Sequence, residues 1–477
     1  MMKISHPEPF IILNERKRST LVHSLFSAWM LAFLFEGQIL FSLVGYYGSS
    51  SPNEMIFGGT AAFFLGLLLG GLFIKSKRAA KNLFLYSYFY FIAISMFFFF
   101  PPSALWTIGI ITGSLLAGGC VAAWGYYLKS STPKKERIKT IAEMLILSNL
   151  LMILLNVTAI YVSPLAGLAL SMVMLVGAFL LAMKLPALDA ASPTFSEQNE
   201  SVKSLARLLI FLCLFITIIT INSGLMYHVL APAYAHLKWL TSWYWAIPYI
   251  AALYAIKDLP KKINRTHILF VAIAMIGLSF IGFMTLGRSA ASYIIVNTLM
   301  LGACGVYDLF WWSILGEMLD LHKNPAKILG FGLSANVLGV LLGGISGSAI
   351  IAADAHGHFP TLLALTVVCF TLALLPPLHK HLSSLLTDHA YLTAFSGTTR
   401  EQDSGIDRAS VFEGLSRREN EVATRLLQGK TYRVIANELY ISENTVKYFV
   451  KNIYSKLNIQ SRTELIDIVL NKEDRST

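Results

Sequence analysis

EMIFGGTAAFFLGLLLGGLFIKSKR, residues 54–78, decides the fold class: twenty uncharged, mostly apolar positions from Met55 to Ile74 are followed by Lys75, Lys77 and Arg78. A helix rising about 1.5 Å per residue needs roughly 17–25 apolar residues to cross about 30 Å of hydrocarbon. The run is that long, and a cluster of cations at one end marks the cytoplasmic side of a membrane span. Reading outward, the same unit repeats. Twelve spans are expected, at about 22–46, 54–74, 83–101, 103–128, 138–160, 162–183, 206–229, 238–257, 267–286, 290–315, 328–352 and 359–379.

The loops test that count independently. Those after the even-numbered spans carry 18 Lys and Arg residues, from Lys75 after the second to Lys327 after the tenth, whereas those after the odd-numbered spans carry only Lys238 and Arg288. Arg16, Lys17 and Arg18 precede the first span. Both termini are therefore expected in the cytoplasm of a multi-pass membrane protein, with the lipid bilayer as a partner.

Composition divides the chain the same way. The 477 residues are 55% hydrophobic and 14% charged, against about 25% charged in soluble domains, which excludes an ordinary soluble enzyme. Residues 1–380 hold 25 Lys and Arg against 14 Asp and Glu, and residues 381–477 hold 13 of each. The formal charge of +11 thus belongs wholly to the apolar part. It reports topology and is no signal for nucleic acid.

The polar segment from Lys184 to Arg207 divides the spans six plus six. With short outer loops this architecture resembles the major facilitator transporters over residues 20–380. In that family's pattern a Gly after span two is followed by an Asp, a second Gly and basic residues; here Gly71 is followed by Lys75, Lys77 and Arg78, and the Asp and second Gly are missing. Ionisable residues within spans are costly and are functional candidates by default. Glu36 in the first span and Asp308, beside Trp311 and Trp312 in the tenth, are the candidates for a ligand or ion site, set against simple pairing with a neighbouring hydroxyl or amide. Dense small residues over 109–125 and 330–347 allow close helix approach. Cys120, Cys213, Cys304 and Cys369 lie far apart and form neither a disulfide framework nor a zinc pattern. Asp354, His356 and His358 read as a polar outer loop, so no metal and no cofactor is expected.

Beyond residue 380 the pattern changes. A tether without hydrophobic periodicity (381–412) leads to four short helices within 413–472. Ser416 with Glu419, and Ser461 with Glu464, have capping-box spacing; Thr431 and Ser442 stand at the starts of the second and third helices. On the third helix Val446, Phe449, Val450, Ile453 and Leu457 form a stripe to bury, and Asn444, Lys447, Tyr448, Lys451 and Ser455 face the other way. A short helix after a tight turn, with a polar and basic outer face, suits the major groove of double-stranded DNA. Ser442 and Thr445 would meet phosphates at its start.

LSRRENEV (415–422), GKTYRVIA (429–436), LYISENTVK (439–447) and NIYSKL (452–457), followed by SRTEL (461–465), closely resemble the LuxR-type helix-turn-helix domain of bacterial regulators. The resemblance implies that Lys447, Tyr448 and Lys451 face bases or nearby backbone, that Ser442, Asn444 and Thr445 position phosphates, and that the last helix, Ser461 to Leu470, pairs two copies on promoter DNA. Phe449 stands where the family often has His. The expected fold is all-α: a segment 1–20, a twelve-helix major facilitator-like bundle over 21–380, the tether 381–412 and a four-helix domain over 413–472. The expected function is membrane-embedded transcription regulation, with the bundle sensing a small molecule or membrane signal and the tail binding promoter DNA. The alternative is a secondary transporter with a regulatory tail. No convergent nucleophile, base or metal set points to an enzyme.

Overall fold

The computed structural model describes residues 9–34, 37–48, 53–187, 199–257, 265–352, 359–383, 415–427, 432–439, 441–457, 459, 461 and 464–465, and among these there is no strand. Helices are the expected outcome, because a lipid-embedded backbone must satisfy its polar groups within the segment. The chain forms two units, Met1–Thr393 and Ala394–Thr477.

In the first unit α1 (Pro9–Trp29) passes through a π-helical turn, Met30–Leu34, and after Gly37 reaches α2 (Gln38–Tyr46), bent by 40°. Gly37 is extended, at φ −71° and ψ 141°, and stands at the N-cap of α2. Then follow α3 (Asn53–Phe73), α4 (Lys77–Ser95), α5 (Ala104–Ser131), α6 (Arg137–Tyr161) and α7 (Pro164–Met183). Past the central connection lie α8 (Asn199–Leu225), a π-helical turn Met226–Leu230, α9 (Ala231–Ala233), α10 (Lys238–Tyr244), α11 (Ile247–Lys257), α12 (Arg265–Thr285), α13 (Ala290–Met318), α14 (Pro325–Ala352) and α15 (Phe359–Ser383).

Among the described residues ten helices are long and apolar enough to cross a membrane, or eleven when the bent α1–α2 pair counts as one span. Twelve spans were expected, and the difference is the eighth, 238–257, which is broken into α10 and α11. Pro248 explains the break. Its ring has no N–H to donate and clashes with the carbonyl four residues back, at Tyr244, the last residue of α10.

Packing follows the small residues. α3 lies against α5, α14 against α8, and α14 also against α3, which joins the first six expected spans to the last six. A Cβ on Gly343 would collide with the Ile221 carbonyl oxygen, and one on Gly66 with that of Leu115. Inside, Trp29, Trp106, Trp124, Tyr88 and Tyr127 are fully buried. Outside, Leu65, Leu69, Leu72, Phe73, Tyr86, Phe89, Val173 and Leu180 are exposed, an apolar coat of a size that water-soluble monomers do not carry.

The basic loop ends are tied together by ions. Arg16 pairs with Glu136, and with Glu143 at 3.0 Å, and Lys77 pairs with Glu15 at 3.0 Å. Arg137, buried at the start of α6, grips Asp320 through two bonds of 2.7 and 2.8 Å and donates to the Gly316 carbonyl at 2.8 Å.

The second unit contains α16 (Arg417–Leu427), α17 (Tyr432–Leu439) and α18 (Glu443–Leu457). Their apolar stripes meet in one core of Val422, Ala423, Leu426, Ile435, Ala436, Leu439, Val446, Val450, Ile453 and Leu465. Of the expected fourth helix only Ser461, Glu464 and Leu465 are among the described residues, and most of the tether and Thr431 lie outside them.

Candidate nucleic-acid interface

Caps define the helix ends of the second unit. The Ser416 N–H donates to Glu419 Oε2 at 2.7 Å and the Glu419 N–H donates to Ser416 Oγ at 3.3 Å, the reciprocal box expected from their spacing. At the other end the Glu464 N–H donates to Ser461 Oγ at 3.2 Å. Between α17 and α18 the Ile441 N–H donates to the Ala436 carbonyl at 3.0 Å, closing the turn. Ser442 then caps α18 by accepting from the Thr445 N–H at 3.1 Å, and the two hydroxyls are 2.8 Å apart.

The faces of α18 separate as their spacing requires. Val446, Val450 and Ile453 are buried, and Phe449 and Leu457 pack partly buried against the same core. Ser442, Asn444, Lys447, Tyr448 and Lys451 are exposed, Tyr448 by 62%, and Thr445 is half-buried. All six predicted DNA-facing residues therefore lie together along the start and outer side of one helix. Lys447 Nζ is 3.4 Å from Glu443 Oε1. An exposed pair four residues apart is worth only about 0.3–0.5 kcal/mol and yields readily to a stronger anion such as phosphate.

One feature of this unit was missed from the sequence. Glu419 is buried, and besides capping α16 it accepts from Lys456 Nζ at 2.7 Å, tying the first helix to the end of α18. The Lys456 ammonium, then the Ser416 N–H, holds the Glu419 carboxyl down at about 2. The Glu443–Lys447 spacing was readable as a helical ion pair; the Glu419–Lys456 tie, 37 residues apart, had no local signal.

Comparison with known proteins bears on this unit directly. Residues 413–469 match the family model described as bacterial regulatory proteins, luxR family. The spore germination protein GerE of Bacillus subtilis is 42% identical over 52 residues, covering 11% of this chain and 70% of that protein. The chain belongs to the LuxR family of bacterial regulatory proteins. A probable HTH-type transcriptional regulator, GfsR of Streptomyces halstedii, is 29% identical over 120 residues, covering 22% of this chain and 47% of its own length. A putative HTH-type regulator from Aeromonas salmonicida is 42% identical over 71 residues, or 14% of this chain and 36% of its own. The chain thus spans less than half the length of these two relatives. The LuxR-family match leaves the apolar unit unaccounted for.

For that unit the likeness is structural. The crystal structure of the human organic anion transporter MFSD10 (TETRAN) superposes with a TM-score of 0.55 at 14% identity, covering 78% of this chain and all of that one. Identity so low establishes the fold alone: a transporter-like helical bundle joined to a LuxR-family tail. The LuxR-family relatives are transcription regulators, a non-catalytic class, in keeping with the reading that this chain is no enzyme. The apolar helices together with the bacterial relatives make it a bacterial multi-pass membrane protein.

The membrane candidates are placed differently. Asp308, half-buried on α13, accepts a hydrogen bond from Tyr249 Oη of α11 at 2.7 Å, so it has a hydroxyl partner of the kind that was weighed against a ligand. Glu36, with Phe35, lies outside the described residues, as do His356 and His358. Among the described residues no group of His, Cys, Asp and Glu is placed to hold a metal ion, and the four cysteines are unbridged.

Proposed function

We propose that this chain is a membrane-embedded transcription regulator whose LuxR-family tail binds promoter DNA at the inner face of the bacterial inner membrane. The observation that carries the proposal is the outer face of α18, where Asn444, Lys447, Tyr448 and Lys451 stand exposed behind a capped N-terminus at Ser442. Lys447 and Lys451 reach guanine edges or phosphates, Tyr448 lies against the groove wall, and Ser442 and Thr445 meet phosphate beside the free N–H groups of the helix start. One small module covers little DNA, so useful affinity comes from two copies paired through Ser461–Leu470. The bundle is the sensor, taking a small molecule or a membrane signal.

Both termini are cytoplasmic in this reading, and α10 with α11 crosses as one broken span. Together residues 238–257 are long enough, since twenty residues at about 1.5 Å each span about 30 Å. Without that crossing the basic loop Lys257–Arg265 would fall on the side that carries almost no cations elsewhere.

The test is a mobility-shift titration of the full-length protein in nanodiscs on promoter fragments. Replacing Lys447 and Lys451 with Ala weakens binding more than about tenfold at moderate salt and lowers the salt slope by about one per lysine. Unchanged affinity removes α18 as the reading helix. A second reading, a secondary transporter with a regulatory tail, is favoured by the Asp308–Tyr249 pair inside the bundle. It requires substrate flux in vesicles that Asp308→Asn abolishes.

A further inference from the structure

At the end of the bundle where the basic loops gather, a cavity of about 360 Å³ opens between the connection after α3 and the connection after α13. Lys75 and Gly71 line it from the first half, and His322, Lys323, Asn324 and Lys327 from the second. Its floor is built by Asn324. The Asn324 amide oxygen accepts from the Lys327 N–H at 3.3 Å, capping α14, and from Tyr126 Oη at 3.2 Å, while its amide nitrogen donates to the Gly71 carbonyl at 3.3 Å. His322 Nδ1 accepts the Asn324 N–H at 2.9 Å, so the neutral ring carries its proton on Nε2 as a donor. Lys129 donates to the His322 carbonyl at 3.0 Å and fixes the loop from the other side.

The residues lining this cavity include Lys75, Lys323, Lys327 and His322 and no acid. Among the described residues the carboxylates at this end are engaged elsewhere: Asp320 with Arg137, Glu317 with Lys134, Glu15 with Lys77, and Glu136 and Glu143 with Arg16. Among the described residues no carboxylate pairs with Lys75 or Lys327. Lys323 and Lys327 also flank the start of α14, where the helix dipole is already positive and its first turn holds no acid. Three lysines, a histidine and a helix start border one space large enough for a tetrahedral oxyanion with substituents.

We infer that this cavity binds a phosphate-bearing anion, either an anionic phospholipid headgroup or free phosphate. The site is independent of the DNA-binding reading. Because its walls come from α3 on one half and α14 on the other, a bound anion bridges the two halves in the arrangement seen here. It therefore shifts the bundle toward that arrangement by its differential affinity.

The test uses the full-length protein, in detergent for the first arm and in nanodiscs for the second, read by its thermal-unfolding midpoint. One arm titrates inorganic phosphate against chloride at equal ionic strength; the other compares phosphatidylcholine nanodiscs with and without phosphatidic acid. A saturable rise with phosphate assigns the free anion, and a rise only with phosphatidic acid assigns the headgroup. Lys75→Gln with Lys327→Gln weakens the response about tenfold or more, while Lys75→Arg with Lys327→Arg retains it. Should the double Gln variant fail to fold, Lys75→Gln alone, at an exposed loop position, must weaken the response about threefold. A response unaltered by these changes, or no saturable response in either arm, overturns the site.

Discussion

Glu419 shows how much one buried carboxylate can organise, since it caps α16 and holds Lys456 of α18. Its value of about 2 against an ordinary 4.5 has a defined consequence for stability. The folded state prefers the charged form, so the stabilisation is fully present above about pH 4.5 and is lost as pH falls through about 2. Glu419→Gln keeps the box geometry and loses the charge. It lowers the stability of the soluble domain by about 1–2 kcal/mol at neutral pH, in the lower part of the range for charged hydrogen bonds because Lys456 is half exposed. Urea unfolding against pH checks this: the rise between about pH 2 and 4.5 is present in the wild type and flattened in the variant. The exposed face of α18 was legible because helix spacing assigns faces locally. Glu419–Lys456 and Arg137–Asp320, separated by 37 and 183 positions, were not, because only tertiary packing brings them together.

At the scale of elements, the glycines of α14 set how close it lies to α8. Gly343→Ala drives a Cβ into the Ile221 carbonyl oxygen, and backbone there has little room to yield. Overpacking of this kind costs about 1–3 kcal/mol. The thermal-unfolding midpoint in detergent therefore falls for Gly343→Ala, while Gly45→Ala, whose Cβ would meet nothing within 4 Å, leaves it unchanged or slightly raised. Equal effects at both sites would remove close approach as the reason for the glycine stripe. The stripe was readable from composition, but its partner helix was not. The break between α10 and α11 was in principle readable from Pro248, whose constraint on Tyr244 acts within one turn; the run of apolar residues around it hid the interruption.

At the scale of the molecule, charge counts separate an apolar part from a more charged tail, and the chain forms two units that divide after residue 393. Topology is tested by fusing a periplasm-active reporter after residue 385. An even number of crossings, with α10 and α11 acting as one, gives no signal there, and a strong signal places the tail outside and excludes contact with DNA. The central claim, that a bacterial membrane protein acts on promoters through α18, is tested most directly by mapping genomic sites bound by the full-length protein in living cells. The account predicts discrete sites at promoters that disappear when Lys447 and Lys451 are both replaced by Ala. Absence of enriched sites, or the same sites in the variant, would contradict it.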